Sequence, residues 1–279
     1  MSREKYYLPL IHRSFISVYP FFRIGGFGLG NTLFPFFRAF SSCLRDGATL
    51  LYPHQNQIQP RNFLRDFSIN SLRNYSNVYS HFNWATLPPL ESMLVFYSRN
   101  WHDESMISSR NNILFSGYKN HFYDITDFKR EIQRFIYFSF PEIKKERMDL
   151  VAFHLRLGDF VLNKKNISSQ KVLEALKYFT STKSLNVKIY SDANYKQIIS
   201  FLGIDKLPMN VTLSNSISPM LDIIEMSLAT YICGNPESTF VEWARFLSSE
   251  ISEQYSYALI SKSDYSSCRC SPVGWDNFI

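Results

Sequence analysis

The sequence predicts an α/β protein whose second half forms a doubly wound parallel sheet. Its 279 residues are 45% hydrophobic and 19% charged, a balance typical of a globular chain that is long enough for two domains. From Met148 onward, short apolar runs alternate with segments whose apolar residues recur at helical spacing. In the first half, a glycine-rich segment separates a strand-like run from a helix-like run. Strands that alternate with helices usually pair in parallel through right-handed crossovers.

The second half, 148–279, is predicted to contain five strands and four helices in alternation. The predicted strands are DLVAFHL (149–155), VKIY (187–190), NVTL (210–213), TYIC (230–233) and YALIS (257–261). The predicted helices are SSQKVLEALKYF (168–179), NYKQIISFLG (194–203), PMLDIIEMSLA (219–229) and STFVEWARFLSS (238–249). Ligands of such sheets bind outside the carboxyl ends of the strands, so the residues that follow each strand are the first candidates for a site.

The first half, 1–147, begins with a comparable pattern. FFRIGGFGLGN (21–31) predicts a strand and a glycine loop, and a helix that Gly47 ends should follow. We expect Pro35 in the first turn of that helix, where a proline is tolerated. The remaining predictions are a strand over 48–53, an irregular insertion over 54–112 and a linker, KKER, over 144–147. A helix is also predicted, with its N-cap around Thr126 or Asp127 and its end before Pro141.

The charge balance favours anionic partners. The chain has a formal net charge of +6 and a pI near 9.0, which suits nucleotide phosphates or acidic headgroups. No block of Lys or Arg resembles a nucleic-acid arm, so we expect no nucleic-acid partner. The four cysteines do not form a disulfide framework in a chain of this size, and Cys268 and Cys270 lack nearby His or Cys partners with zinc spacing, so free thiols are expected there. No run of about 18 apolar residues occurs, which predicts a cytoplasmic protein and leaves peripheral contact with the inner face of the cytoplasmic membrane open.

The segment VAFHLRLGDF (151–160) passes from a buried strand to charged residues within a few positions. Side chains alternate along a strand, so His154 and Arg156 should point to the same side at its carboxyl end. An arginine there can hold a diphosphate through two parallel hydrogen bonds. The alternative is that Arg156 and Asp159 only pair with each other on the surface.

Other loops at the same edge carry polar residues. Ser191 and Asp192 follow one strand, and Ser238 and Thr239 begin a helix after another, where free N–H groups can bind phosphate. Taken singly, such Ser and Thr residues are ordinary helix caps. Asp222 is either an acceptor for a base edge or part of a solvated helix face.

The glycine loop supports a weaker hypothesis. GGFGLGN (25–31) has the glycines that let backbone N–H groups approach a phosphate at a helix N-terminus. Its spacing is not G-x-G-x-x-G, and no acidic residue stands about 20 positions later at a strand end. A tight turn explains the glycines equally well.

Several segments resemble motifs of one enzyme family. GFGLGNTLF (26–34) resembles the GGLGNQLF segment of the α1,2-fucosyltransferase family, whose bacterial members act in surface-polysaccharide synthesis. HLRLGD (154–159) resembles the family's HxRRGD, which is related to motifs in α1,6- and protein O-fucosyltransferases. Similar to further family motifs are GYKNHFYD (117–124), YSDAN (190–194) and DIIEMSLATYICGNPESTFVEWA (222–244). The segments follow the family's order and cover most of the chain.

The resemblance implies a GT-B-like fold, in which two Rossmann-like lobes face a cleft. The N-terminal lobe, 1–147, would lie on the acceptor side, and the C-terminal lobe, 148–279, would bind GDP-fucose. The implied reaction transfers L-fucose to the 2-hydroxyl of a galactose, with inversion and without a metal or other cofactor. The implied acceptor is a galactose-terminated, lipid-linked oligosaccharide of O-antigen type.

The resemblance also implies roles for individual residues. Arg156 would neutralise the β-phosphate of the leaving GDP, which lowers the barrier as charge develops on that group. His154 and Asp222 would contact the guanosine. Asp159 is the candidate base for the acceptor hydroxyl, unless it only organises the site as a hydrogen-bond acceptor. Glu237 and Glu242 are alternatives for the base. The implied donor site further includes Gly28, Gly30, Asn31, Ser191, Asp192, Ser238, Thr239 and Phe240.

The chain departs from the family pattern at several positions. Leu157 stands where the family has a second arginine. Pro236 and Glu237 are inserted between Asn235 and Ser238, and YSDAN keeps one acidic residue of two. These departures put the acceptor in doubt more than the fold. Two other functions stay open: a GT-B transferase that uses another GDP-sugar, and a non-catalytic protein that binds nucleotides or glycans.

Overall fold

The chain divides into two compact units, 1–141 and 142–279. The computed structural model describes residues 4–10, 17–24, 28–53, 56–58, 72–74, 78, 80–107, 110, 112–117, 122–143, 146–157, 168–216, 218–235, 238–248 and 253–255. Each unit contains a parallel β-sheet with helices, so the predicted α/β class is confirmed. A parallel sheet in each unit is also what the predicted GT-B-like fold requires.

The first unit contains two four-stranded sheets. Its described strands are β1 (Tyr6–Pro9), β2 (Ser17–Val18), β3 (Phe22–Ile24), β4 (Thr49–Leu50), β5 (Asn56–Ile58), β6 (Leu72–Asn74), β7 (His102–Asp103) and β8 (Asn112–Phe115). One sheet has the order β4-β1-β8-β7 and is parallel throughout. The other has the order β2-β3-β5-β6 and is mixed. The predicted strand before the glycine loop is β3, and it belongs to this mixed sheet.

Helix α1 (Leu29–Asp46) begins earlier than predicted. The carbonyl of Gly28 accepts the N–H groups of Asn31 and Thr32, which fixes the first turn. Pro35 therefore lies inside the helix and not in its first turn, so that expectation was wrong. Pro35 has no N–H to give the Asn31 carbonyl, which loses its helical hydrogen bond. Gly47 ends the helix as predicted, in the left-handed conformation at φ 65°.

Among the residues of the first unit whose burial the structure describes, most of the aromatic ones are core. Phe34, Phe36, Phe37 and Phe40 of α1 are buried, and Phe36 stacks on Phe82 with ring centroids 4.9 Å apart. Helix α2 (Pro89–Ser98) packs on the parallel sheet through Val95 and Phe96. Helix α3 (Lys129–Ser139) completes the described α-helices of this unit and adds Phe135 to the aromatic cluster.

A buried ion pair connects α1 to the end of β8. The guanidinium of Arg38, 2% exposed, donates from Nε to Glu104 Oε1 at 2.9 Å and from Nη2 to Oε2 at 3.1 Å. The same Nη2 donates to the carbonyls of Ser116 and Gly117 at 3.0 and 3.3 Å. Burial raises the pKa of the Glu104 carboxyl, and Arg38 opposes this. The pair holds the backbone that follows β8 against the helix.

The second unit is a parallel sheet with the order β11-β10-β9-β12-β13. Its described strands are β9 (Met148–Leu155), β10 (Val187–Ser191), β11 (Val211–Leu213), β12 (Ala229–Cys233) and β13 (Glu253–Tyr255). Its described α-helices are α4 (Ser169–Lys177), α5 (Tyr195–Leu202), α6 (Pro219–Leu228) and α7 (Thr239–Leu247). Four strands and four helices match the predictions; the predicted strand over 257–261 lies outside the described residues, and β13 pairs with β12.

Successive side chains of β9 point to opposite faces of the sheet, so the core of this unit has one part on each face. Val151, Phe153 and Leu155 pack in a cluster with residues of α4 and α5. Ala152 packs in a second cluster with residues of α6 and α7. The sheet is therefore covered on both sides, as doubly wound sheets require.

The order of the strands reverses beside β9. From β9 the chain adds β10 and β11 on one side, then crosses to add β12 and β13 on the other. The topological switch point therefore lies between the carboxyl ends of β9 and β12. Open α/β sheets bind their ligands at such a point.

Candidate functional site

The carboxyl ends of the five parallel strands lie at one edge of the second sheet. Residues that follow four of them form what we call the switch-point edge. Its members are His154, Arg156, Leu157, Ser191, Asp192, Ser214, Asp222, Gly234, Ser238, Thr239 and Phe240. The structure places each predicted donor-site residue of this unit at the carboxyl end of a strand of this sheet, in the loop that follows or on the next helix. Asp159 lies outside the described residues.

His154 is buried where β9 meets α7. Its Nδ1 lies 3.4 Å from the hydroxyl oxygen of Ser238, and its ring stacks on Phe240 with centroids 5.5 Å apart. Burial, with a smaller contribution from the charge of Arg156, lowers the pKa of His154 to about 3. The imidazole is therefore neutral at physiological pH and acts by shape and hydrogen bonding.

Gly234 allows this close packing. A Cβ at Gly234 would lie 2.7 Å from Val241 Cγ2 and 3.3 Å from the Cβ of His154. Any larger residue would push the start of α7 away from β9. The motifs and periodicities of the sequence do not identify Gly234. A glycine directly after a buried strand is nevertheless a usable signal that another element packs close to the backbone there.

Ser238 stands at the N-cap position of α7, with an extended backbone at φ −85° and ψ 114°. Its hydroxyl makes no capping hydrogen bond within the helix and faces His154 instead. The ordinary-cap interpretation therefore does not account for this serine. Thr239 and Phe240 begin the helix, and first-turn N–H groups have no acceptor within a helix, which makes such a terminus suited to an anion.

Asp192 connects the ends of β10 and β9. Its Oδ1 accepts the backbone N–H of Leu157 at 2.8 Å. Ser191 accepts the N–H of Ala193 at 3.1 Å and so shapes the same turn. Both residues organise the backbone at this edge in the structure, and their predicted contact with a donor stays a prediction.

Leu157 is one of the departures from the motif that this turn resembles, and its burial explains the difference. Its side chain is buried in the cluster that contains Val172 of α4 and Ile198 of α5. The position where the family has a second arginine is thus part of the hydrophobic core in this chain. Arg156, its half-buried neighbour, is the arginine that stands at the end of β9.

Asp222 is anchored and half-buried on α6, so it does not belong to a freely solvated helix face. Ser214, which follows β11, donates its hydroxyl to Asp222 Oδ1 at 2.6 Å. Burial raises the pKa of Asp222 to about 6, and the nearby charge of Glu225 adds to the shift. Glu225 itself accepts from Lys188 Nζ at 2.5 Å and from the Tyr190 hydroxyl at 3.3 Å. The role of Ser214 was not predicted, although a serine at a strand end was visible in NVTLS.

Glu242 is a second titratable carboxyl close to this edge. It lies in the first turn of α7, and burial raises its pKa to about 7, against the opposing charge of Arg245. A carboxyl with such a pKa can exchange a proton near neutral pH. Glu237, the other alternative base, lies outside the described residues.

The remaining predicted donor residues belong to the first unit. Gly28 is the N-cap residue of α1, while Gly30 is a buried residue of the helix and not part of a loop. Asn31, in the first turn, is half-buried, and its Oδ1 finds no hydrogen-bond partner in the described part of the chain. An oxygen in that state suits a donor on a ligand.

Neither a metal site nor a membrane span is found within the described ranges. They contain no group of three His, Cys, Asp or Glu side chains placed to bind a metal ion. Among the described helices, none is long and apolar enough to cross a bilayer.

Comparisons with known proteins give only distant matches. No model of a known protein family matches the chain, and neither does any curated protein sequence. The solved structure of the fucosyltransferase NodZ from Bradyrhizobium is 15% identical, with 88% of this chain and 94% of that chain covered at a TM-score of 0.41. The structure of POFUT1 in complex with GDP-fucose is 12% identical, with 92% and 98% covered at a TM-score of 0.45. Matches this distant assign neither a fold nor an activity to this chain.

Proposed function

We propose that the chain transfers a fucosyl group from GDP-fucose to a hydroxyl of a galactoside. The main support is the switch-point edge, where an arginine after β9, the N-terminus of α7 after β12 and an anchored carboxylate on the helix after β11 all lie beyond the carboxyl ends of one parallel sheet. These three groups match the three parts of a GDP-sugar that a site can recognise electrostatically: two phosphates and a purine edge. The resemblance of the sequence motifs specifies fucose and the galactose 2-hydroxyl.

The diphosphate would be bound between Arg156 and the start of α7. Glycosyl transfer builds positive charge on the sugar and negative charge on the departing GDP, so a fixed cation and oriented N–H groups stabilise the transition state. His154, which contacts Ser238 and Phe240 at the start of α7, stays neutral and therefore adds no charge of its own. In this arrangement Arg156 is the catalytic cation, and His154 with Phe240 fixes the position of the α7 terminus.

The guanine would be recognised by Asp222. Guanine presents two adjacent N–H donors on one edge, and an ionised carboxylate with two acceptor oxygens complements them. The hydroxyl of Ser214 holds one carboxylate oxygen of Asp222 in place. Adenine lacks this pair of donors, so the same carboxylate favours GDP over ADP.

In the proposed reaction the acceptor oxygen attacks the anomeric carbon from the face opposite to GDP. The new C–O bond forms as the bond to the β-phosphate oxygen breaks, and GDP leaves with the electron pair. A base takes the hydroxyl proton; Asp159 is our first candidate by resemblance. Glu242 is the second, because its pKa of about 7 suits proton transfer at neutral pH.

The pH dependence of GDP binding tests the role of Asp222. Because its pKa is raised to about 6, the carboxylate needed for guanine is lost as pH falls through that value. We expect the affinity for GDP to rise between about pH 5 and pH 7 and then to level off. Asp222→Asn should remove this step and bind GDP weakly at all pH values in calorimetric titrations. A step that persists in Asp222→Asn would assign it to another group.

The donor is tested with GDP-fucose and GDP-mannose in parallel. We expect GDP release from GDP-fucose when a β-galactoside is present, and the product should carry an α1,2-linked fucose by nuclear magnetic resonance. Preferential release from GDP-mannose would favour a transferase for another GDP-sugar. Binding of either donor without turnover, across a panel of galactosides, would favour a non-catalytic binding protein.

The resemblance of the motifs also suggests which unit holds which substrate and where the reaction takes place. The first unit would supply the acceptor side, and the second unit would hold GDP-fucose. Gly28, Gly30 and Asn31 stay candidate donor-binding residues of the first unit. The acceptor would be a lipid-linked oligosaccharide in the assembly of a bacterial surface glycan at the inner face of the cytoplasmic membrane. Neither a metal nor another cofactor is part of the proposed reaction.

A further inference from the structure

Helix α2 has two apolar faces, and in the described part of the first unit only one of them is packed. Ser92 is buried, and Val95 and Phe96 pack against the core of the parallel sheet in the first unit. On the other side, Leu90, Leu94 and Tyr97 follow at spacings of four and three residues and are 63%, 66% and 63% exposed. This spacing places the three side chains in one row along the helix. We call this row the outer face of α2.

The outer face is too small for a stable contact with a second copy of the chain. Its three side chains expose roughly 400 Å² in total, by the usual size of Leu and Tyr side chains. A stable protein interface usually takes about 800 Å² from each partner. A patch of about this size is nevertheless large enough to mark an interaction site.

The charge of the chain indicates the kind of partner. Residues 1–141 contain 15 Lys and Arg against 9 Asp and Glu, a net charge of +6. Residues 142–279 contain 15 of each, a net charge of zero. The whole excess of positive charge therefore lies in the unit that carries the outer face. Arg99, exposed directly after α2, lies over the ring of Tyr6 with its guanidinium carbon 5.8 Å from the ring centroid.

We propose that the outer face of α2 binds an anionic lipid surface. Leu90, Leu94 and Tyr97 would enter the boundary between headgroups and acyl chains, as the apolar face of an interfacial helix does. Arg99 and the net charge of the first unit would attract the anionic headgroups. The proposal does not depend on fucosyl transfer, because lipid binding can be measured without donor or acceptor.

The test is co-sedimentation of the full chain with two kinds of vesicles. One kind contains about a third phosphatidylglycerol in phosphatidylcholine, and the other contains phosphatidylcholine alone. We expect binding to the anionic vesicles that weakens in about 0.5 M salt, because salt screens the headgroup charge. Leu94→Glu should lower the bound fraction about tenfold, since it places a charge in the apolar row.

Met209→Glu is the matched control. Met209 is also fully exposed and apolar, but it belongs to the unit without net charge, so this variant should bind vesicles like the wild type. Circular dichroism should show equal folding of both variants. The proposal is overturned if the wild type stays in the supernatant with anionic vesicles, or if Leu94→Glu sediments as the wild type does. Concentration-dependent dimers in light scattering that Leu94→Glu abolishes would identify a second copy as the partner instead.

Discussion

Replacing Arg156 with alanine is expected to slow transfer from GDP-fucose by about 10²–10³-fold while the protein stays folded. Arg156 directly follows β9 at the switch point, and its charge contributes to the lowered pKa of the buried His154. In the proposed function this guanidinium and the start of α7 bind the same diphosphate. The measurement is GDP release in the presence of a galactoside, together with calorimetric binding of GDP.

Two variants sharpen this result. Arg156→Lys keeps the charge but loses the planar pair of donors, so an intermediate rate is expected. Arg147→Ala removes an exposed arginine that directly precedes the first residue of β9, and this variant should leave the rate unchanged. If Arg156→Ala kept its rate within about threefold of the wild type, Arg156 would not be the group that stabilises the leaving GDP.

Glu104→Gln is expected to lower the free energy of unfolding of the first unit by about 3 kcal/mol, the lower end of the range for breaking a buried ion pair. The substitution leaves the Arg38 guanidinium, 2% exposed, without its counter-charge, although two backbone carbonyls still accept from it. The effect falls at the lower end because the Glu104 side chain is 35% exposed. Urea unfolding followed by circular dichroism measures it.

Two control variants show whether the loss of unfolding free energy depends on the burial of the ion pair or would follow from breaking any ion pair. Arg45 pairs with Asp46 at 3.1 Å on the surface, so Arg45→Met should cost less than about 1 kcal/mol. The double variant Arg38→Met/Glu104→Leu should recover much of the loss, because it removes the buried guanidinium together with its counter-charge. Equal costs for Glu104→Gln and Arg45→Met would show that the buried pair contributes no more than a surface pair.

In the described part of the second unit, four strands and four helices could be predicted from the sequence. Each of its matched strands is a short apolar run, and each of its helices has an amphipathic period, so local pattern and tertiary structure agree. The first unit was harder. Strand β1 is only YYLP, which has no alternation, and strands of two or three residues give no period to detect. Helix α1 starts before its expected position because Leu29 and Gly30 gain burial within the core.

The site was predictable in its location and less so in its contacts. Polar residues after strands identify the edge, because the carboxyl ends of parallel strands always meet there. The contact of His154 with Ser238 joins residues 84 positions apart, and no local pattern contains it. The burial of Leu157 depends likewise on the helices that pack against the sheet, as does the need for glycine at Gly234. Such positions are decided by packing between elements.

The buried side chain of Leu157 has an evolutionary consequence. An arginine at that position would have to place its charge among Val172, Leu176 and Ile198, or else pull the turn after β9 out of the core. The exchange between leucine and arginine therefore requires changes in α4 and α5 at the same time. A chain that packs this turn with leucine can gain a second cation more readily at another strand end than at position 157.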